Sequence, residues 1–186
     1  MAGEFLTAVD GLALLRQNDV FRHENIYPSP RLVLGLQGFK YTEAAEEKYW
    51  YGQNQFLIFK GDQVGSSRAP GACPEIPFLS ISLNLDGWII ADLLREAPYL
   101  SPGGACDLEA PLTVAADHHI LAAFLRLVTL LEKPAQIPYL APLFIREIHY
   151  RLLLGPLSGR LRSMKVSPTP PIYSYMGLGA RNNILH

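Results

Sequence analysis

Metal binding is the first chemistry to consider, because the chain carries five histidines. None belongs to an H-x-H pair on one strand, the spacing that lets two imidazoles converge on a single ion. His118 and His119 are adjacent, and in a helix they lie about 100° apart around the axis, which prevents chelation of one ion. The segment 31–85 contains no histidine, and His23, His149 and His186 stand alone. The sequence therefore predicts no metal site and no cofactor.

Nucleophilic catalysis also lacks its usual sequence signals. There is no G-x-S-x-G elbow and no glycine-rich phosphate loop that opens a helix. The two cysteines, Cys73 and Cys106, are far apart and fit no C-x-x-C zinc or redox pattern. We expect two reduced thiols; the alternative is that Cys73, in a loop with Pro and Gly, senses oxidants. The sequence predicts no catalytic residue.

A pocket for a small ligand is better supported, because aromatic residues concentrate in one predicted hairpin. Strand alternation sends Tyr49 and Tyr51 to one face and Trp50 to the other. Small β-barrels bind ligands with aromatic walls and a few polar groups. The alternative is that the inward aromatic side chains simply fill a core. The predicted ligand-binding residues are Gln37, Lys40, Tyr49, Tyr51, Phe56, Ile58 and Ser82.

The polar members of this set have two readings each. Gln37 and Lys40 flank a turn at Gly38, where they either orient a ligand or set the register of the turn. Ser82 shares one strand face with Ser80 and Asn84. If that face points inward, its side chains can donate hydrogen bonds to a ligand; if it points outward, they meet solvent.

Short strands must position these residues. From Leu12 to about Asp86 the chain is rich in strand-forming runs that are separated by turn residues. The segment from Phe78 to Leu85 alternates polar and apolar side chains, whereas residues 65–77 predict a loop rich in Gly, Ser and Pro. This pattern is typical of a small sandwich or barrel. The other predicted strands are residues 31–37, 48–51 and 55–60.

The second half of the chain changes to helical spacing, which predicts an α+β fold. Asp86 can cap a helix from Gly87 to Glu96, and Asp117 can cap a second helix. A third helix follows Pro138, with a stripe of apolar residues, and ends at Leu154. Gly155 before a proline predicts a left-handed stop.

The third helix also carries a predicted dimer contact. We expect Arg146 and His149 on its polar face. The same face is predicted to form a self-complementary contact between two copies of the chain. The alternative is a solvated face packed on one side against the preceding helix. The predicted dimerisation residues are Glu147, Tyr150, Arg151 and Leu154.

Composition limits the function classes. The chain has 186 residues, of which 49% are hydrophobic, and a net charge of −1. It can therefore bury a core as one domain, and it has no basic field for nucleic acid. No apolar run reaches the roughly 18 residues of a membrane helix, and no secretory signal is apparent. The expectation is a cytoplasmic protein without membrane contact.

Three segments resemble the N-terminal sensor domain of AraC-type transcriptional regulators. They are residues 27–40, residues 49–59 and the helix LAPLFIREIHYRLLLGP at 140–156, and the last is the most specific. The resemblance extends roughly from Thr7 to Arg162. It implies a cupin-like antiparallel β-barrel over about 7–86 and helices over about 87–155, in a domain that binds a small organic effector and forms homodimers.

The resemblance ends where members of that family continue into two helix-turn-helix motifs. After Arg162 the sequence leads into a Pro-rich stretch, 163–186, with no amphipathic helix pair and no basic recognition helix. We therefore expect contact with DNA only through a half that these residues do not contain. The hypothesis is an effector-sensing and dimerisation domain of such a regulator.

Two alternatives stay open at this point. The first is a stand-alone binding module that acts without a DNA-binding half. The second is a metal-free isomerase or lyase with the same fold, in which tyrosine and lysine act as acid and base. A strongly perturbed Lys40 or Tyr51 in a pocket would favour the enzyme.

Overall fold

Alternating side chains in the first half of the protein build two antiparallel sheets. A computed structural model describes residues 2–44, 47–100 and 113–163. The strands are β1 (Gly3–Leu6), β2 (Leu12–Gln17), β3 (His23–Tyr27), β4 (Arg31–Gln37), β5 (Phe39–Ala44), β6 (Glu47–Gly52), β7 (Gln55–Phe59), β8 (Gln63–Arg68), β9 (Phe78–Asn84) and β10 (Thr113–Ala115). The larger sheet has the order β1-β2-β9-β4-β7-β10, and the smaller sheet has the order β3-β8-β5-β6.

The two sheets are in close backbone contact at Gly35 of β4. A Cβ atom at this position would lie 2.2 Å from the carbonyl oxygen of Gly52, so only glycine fits. A parallel bridge joins Gly35 to Gln53, and the amide of Asn54 donates a hydrogen bond to the Gly35 carbonyl. β4 thereby fixes the position of the β6–β7 turn, and with it the inward side chains of both strands.

Four helices follow the sheets or lie between their last strands. They are α1 (Gly87–Glu96), α2 (His118–Thr129), α3 (Ile137–Leu154) and the short α4 (Ser158–Arg162). The Asp86 side chain accepts a hydrogen bond from Trp88, and the Asp117 side chain accepts one from Ile120. Both predicted N-caps are confirmed, as is the α+β fold with antiparallel strands followed by helices.

The helices cover one face of the larger sheet and form the helix-side core with it. The strands contribute alternate residues such as Leu32, Leu34 and Leu83. α2 contributes Phe124 and Leu127. The other face of the same strands points into the space between the two sheets, which we call the interior. The larger sheet therefore contributes side chains to two hydrophobic cores, one on each of its faces.

Two local predictions are wrong, and one strand was not predicted. Residues 65–68 belong to β8 and not to a loop, because their Gly-Ser-Ser sequence pairs with β3 and β5. Gly155 does end α3, but its φ of −88° is extended and not left-handed. β10 was not predicted, and its three residues pair with β7.

Some predictions concern parts of the chain outside the described residues. These are the ones for Cys106, for His186 and for the tail beyond Ser163. The domain boundaries at 7–162 stay predictions; β1 pairs with β2 ahead of Thr7. In the part of the chain that the structure describes, no helix is long and apolar enough to cross a membrane.

Candidate ligand-binding site

Aromatic rings line the interior from both sheets. Tyr27 of β3 stacks on Phe59 of β7, with ring centroids 3.9 Å apart. Tyr51 of β6 meets the ring of Phe78 of β9 edge-on at 5.8 Å. Val33 and Leu57 complete this cluster. The interior of the structure is thus occupied by side chains, and a ligand has to displace or reorient some of these rings.

Lys40 is the predicted ligand-binding residue with the most unusual surroundings. It pairs with Tyr51 across β5 and β6, and its side chain points inward with only 4% of the residue exposed. Its Nζ lies 5.5 Å from the centroid of the Phe78 ring. Burial lowers the pKa of Lys40 from its usual range to about 8. Lys40 therefore sets a positive charge against an aromatic wall.

Three more predicted residues lie on the interior side. Tyr51 is buried, and Tyr49 packs against the same cluster. Burial raises the pKa of Tyr51 far above its usual range, so its hydroxyl keeps its proton. Ser82 is buried opposite Val33 in the ladder, and Ser80 lies one step further along the same face. The inward reading of this serine face is correct.

One buried hydroxyl of the interior has no hydrogen-bond partner among the described residues. It is the Oγ of Ser80, two residues after Phe78 on the same face. Buried hydroxyls are usually paired, because an unpaired one loses its hydrogen bond to water without replacement. By contrast, the buried Ser67 accepts a hydrogen bond from Asn25 at 2.8 Å, and the hydroxyl of Thr42 is a hydrogen-bond partner of the hydroxyls of Tyr27 and Tyr51. Ser80 therefore leaves an unpaired donor on the inward face of β9.

Phe56 and Ile58 are placed wrongly by the sequence analysis. In the ladder they lie opposite Leu34 and Leu32, and they belong to the helix-side core. The inward residues of β7 are Leu57 and Phe59. Alternation decides this outcome, because neighbouring residues of a strand point to opposite faces. Phe56 and Ile58 cannot line the interior.

Gln37 has a structural partner. Its side-chain amide donates a hydrogen bond of 2.8 Å to the carbonyl of Pro77, which precedes β9. The ladder between β4 and β9 shifts register between Gly35 and Gln37. This contact matches the alternative in which Gln37 sets the register of the chain.

The sequence analysis missed Tyr27, Thr42 and Phe78 as interior residues. A period-two signal was available for two of them. Thr42 follows Lys40 by two positions, and Phe78 precedes Ser80 by two. Tyr27 precedes Pro28 and carried no comparable signal. Separately, Arg31 Nη1 forms an ion pair of 3.0 Å with Glu4.

His149 connects the sheet to the helices, and its predicted position on a solvated face is wrong. The side chain is fully buried in α3. Its Nε2 accepts a hydrogen bond of 2.9 Å from the amide of Asp86, just after β9. Because that amide can only donate, Nδ1 carries the proton and donates to the Ile145 carbonyl at 2.8 Å. Burial lowers the pKa of His149, which favours this neutral form.

Three of the four predicted dimerisation residues have partners within the chain. Glu147 accepts hydrogen bonds from Arg126 of α2 and from Arg151. The hydroxyl of Tyr150 lies 3.1 Å from that of Tyr99. Leu154 is exposed. The dimer role of these residues stays a prediction.

A cleft of about 140 Å³ opens on the helix side of the larger sheet. It lies between the start of α2 and the end of α3, with Val114 of β10 at its edge. Phe56, Leu152 and Arg151 line it. Asp117 and His119 also line it, and Arg151 is already bonded to Glu147. Among the described residues, no group of three or more His, Cys, Asp or Glu side chains is placed to hold a metal ion.

Comparison with known proteins identifies one family. A model of the family described as AraC-type transcriptional regulator N-terminus matches residues 8–160, which is most of the chain. No curated protein matches the sequence.

Several solved structures are similar over a smaller part of the chain. A cupin superfamily protein from Desulfitobacterium hafniense DCB-2 is 17% identical, with a TM-score of 0.34 over 40% of this chain and 64% of that one. A protein of unknown function from Rhizobium leguminosarum bv. viciae 3841 is 10% identical, with a TM-score of 0.35 over 39% of this chain and 66% of that one. This chain thus spans just under two thirds of either. The Cupin_2 domain of an XRE family transcriptional regulator from Enterobacter cloacae is 17% identical, with a TM-score of 0.30 over 39% and 74%.

Proposed function

The chain belongs to the AraC-type transcriptional regulator N-terminus family, as the resemblance in its sequence predicted, and on that basis we propose that it senses a small organic effector. The effector binds in the interior, between the two sheets. The chain also forms a homodimer through its helices. In this proposal it contacts DNA only through a further half of a regulator, and it does no chemistry on the effector.

The observation that carries the proposal is the set of unpaired polar groups among the interior rings. Ser80 has a hydroxyl without a partner among the described residues, and Lys40 has a buried ammonium group. Ligand pockets combine apolar walls with a few polar groups that fix orientation. A ligand that pairs with these groups replaces the hydrogen bonds that they lost on burial.

The larger sheet gives the effector a route to the helices. A ligand that displaces Phe78 or meets Ser82 acts on β9, whose other face packs against the helix-side core. The end of β9 is tied to α3 by the bond between Asp86 and His149. A signal results only if the effector binds one arrangement of sheet and helices more tightly than the other.

Filling the interior tests the location of the site. Val33→Phe adds a ring in the interior, whereas Val64→Phe adds the same ring on the outer face of β8, where Val64 is 70% exposed. A library of small organic metabolites is screened for compounds that raise the Tm of the wild-type chain. We expect these compounds to fail with Val33→Phe and to act normally on Val64→Phe. A screen without stabilising compounds, or compounds that stabilise both variants alike, would contradict the proposed site.

The dimer surface that we propose lies on α2 and α3. Large apolar side chains are exposed there without an intramolecular cover, and apolar surface of this kind favours self-association. They are Leu125, Tyr139, Leu143 and Leu154. A second copy of the chain is the occupant, because two identical helix pairs can bury the same residues around a two-fold axis. In sedimentation equilibrium we expect a dimer for the wild type and for Val64→Glu, and a monomer for Leu143→Glu. A monomeric wild type would rule this surface out.

An enzyme is the second candidate, and one observation favours it. Lys40 and Tyr51 are neighbours across β5 and β6, and burial moves the pKa of both groups. A partly neutral amine beside a protonated phenol can serve as base and acid in an isomerase or lyase. Turnover of small carbonyl compounds by the wild-type chain, lost in Lys40→Met, would support it. If compounds that bind the chain are not turned over, the enzyme is rejected and the sensor proposal is kept.

A further inference from the structure

Lys40 is a buried cation, and the acidic residues whose charge acts on it form ion pairs with other side chains. The carboxylates whose field reaches it are those of Asp19 and Glu4. Asp19 lies 2.8 Å from the Nε2 of His23, and Glu4 lies 3.0 Å from Arg31. In the described part of the chain no carboxylate forms an ion pair with the Nζ of Lys40. The interior therefore holds an ammonium group without a counter-ion.

Such a group is costly, and an anion relieves the cost. A buried charge loses hydration and needs a partner of opposite sign or a shift towards its neutral form. Burial does lower the pKa of Lys40, but a value of about 8 leaves the side chain mostly protonated at pH 7. A carboxylate on Nζ would supply the missing charge and a charge-assisted hydrogen bond.

The groups around Lys40 suit the rest of such a ligand. Thr42 lies two residues further along the inward face of β5, about 7 Å away along the strand, and its hydroxyl is a hydrogen-bond partner of Tyr27 and Tyr51. The hydroxyl of Ser80 is unpaired among the described residues and can donate to a carboxylate oxygen. The rings of Tyr51 and Phe78, which meet edge-on, offer an apolar surface to the body of the molecule.

We propose that the effector is a small organic anion, a carboxylate on an apolar or aromatic body, and that Lys40 is its counter-ion. This inference rests on the proposed function, because it uses the same interior site. The carboxylate binds the Nζ of Lys40 and accepts a hydrogen bond from the hydroxyl of Ser80. The body of the ligand takes the place of side-chain contacts between Tyr51 and Phe78.

Matched pairs of carboxylates and primary amides test the charge preference. The probes are hexanoate with hexanamide, benzoate with benzamide, and phenylacetate with phenylacetamide, with binding measured by calorimetry at pH 7. We expect at least one carboxylate to bind ten-fold or more tightly than its amide. Lys40→Gln should abolish that difference. Lys48→Gln should retain it, because Lys48 is a partly exposed lysine paired with Glu43. Circular dichroism and Tm verify that both variants fold.

A pH series adds an independent measurement. Carboxylate affinity should fall by about ten-fold per pH unit once the pH exceeds 8, as Lys40 loses its proton, whereas amide affinity should not change. Amides that bind as tightly as carboxylates, and that Val33→Phe still blocks, would overturn the charge preference and leave the sensor proposal intact. If no carboxylate of the panel binds, the inference is also overturned; the metabolite screen with Val33→Phe then decides the sensor proposal separately.

Discussion

The two cores on either side of the larger sheet differ in how completely they satisfy their polar groups. In the helix-side core, the buried His149 has a hydrogen-bond partner on each ring nitrogen. In the interior, and within the part of the chain that the structure describes, the hydroxyl of Ser80 has no hydrogen-bond partner and Lys40 forms no ion pair. A protein that needed both cores only for stability would gain by pairing or removing these groups. The difference indicates that the helix-side core stabilises the fold, and that the interior is shaped for something else.

A cavity in the helix-side core should have the largest effect. Leu127 of α2 is completely buried there. Leu127→Ala should lower the free energy of unfolding by about 2–5 kcal/mol, through lost transfer energy and the cavity left behind. Urea denaturation measures it, with Leu125→Ala as control, because Leu125 is 67% exposed and should change little. Similar losses from both substitutions would mean that the helices are not packed on the sheet as described.

Removing the charge of the interior should act in the opposite direction. Lys40→Met should raise the free energy of unfolding at pH 7 by about 1–3 kcal/mol, because an apolar side chain replaces a desolvated ammonium. The wild type itself should gain stability between pH 8 and pH 10.5, where the unfolded chain binds more protons than the folded one. The advantage of the variant should therefore shrink over that range. A less stable variant at pH 7 would mean that Lys40 has a stabilising partner.

The pairing of His149 should appear as a pH dependence. Since the pKa of His149 is lowered in the fold, the unfolded chain binds the extra proton first as the pH drops. Its contribution to stability is present above pH 6.5 and is lost below it, by up to about 1.4 kcal/mol per pH unit. His149→Gln should flatten this part of the stability profile, and the exposed His118→Gln should not. Parallel profiles for all three proteins would contradict the buried neutral histidine.

The smallest effect should come from an interior hydroxyl. Ser80→Ala removes a hydroxyl that has no partner among the described residues. It should raise the free energy of unfolding by up to about 1 kcal/mol. Thermal and urea unfolding measure the change, and Ser67→Ala is the comparison, because Ser67 accepts a hydrogen bond and should lose stability. Destabilisation by both substitutions would show that the interior is as well satisfied as the other core.

The helices were the most predictable part of the fold because their signals are local. Asp86 and Asp117 cap their own helices through contacts with residues only two or three positions away. β8 was missed for the opposite reason. Its Gly-Ser-Ser composition is typical of a loop, and it is held as a strand by partners that are distant in sequence. Strand pairing of this kind overrides local propensity.

The sequence predicts only part of the site. The two-residue period of a strand shows which side chains share a face, but not whether that face points to the interior or to the helices. β7 is buried on both faces, so its pattern correctly pairs Phe56 with Ile58 but cannot assign them to the interior or to the helices. His149 shows the same limit in a helix. Its polar character predicts exposure, yet two backbone groups satisfy it, the Ile145 carbonyl one turn earlier in α3 and the Asp86 amide in a distant part of the chain. Lys40 was found because it flanks the turn at Gly38, and Tyr51 because aromatic residues concentrate in its segment; their pairing across β5 and β6 was not predicted.

The place of β9 in the larger sheet restricts how this protein can move. The strand is hydrogen-bonded to β2 along one edge and to β4 along the other, and its end is anchored to α3 through His149. Sliding it by one residue would break both ladders and turn its serines towards the helices. β9 therefore cannot slide along its own direction. The sheet can still twist, so a signal that crosses it is transmitted as a change in the angle between the larger sheet and the helices.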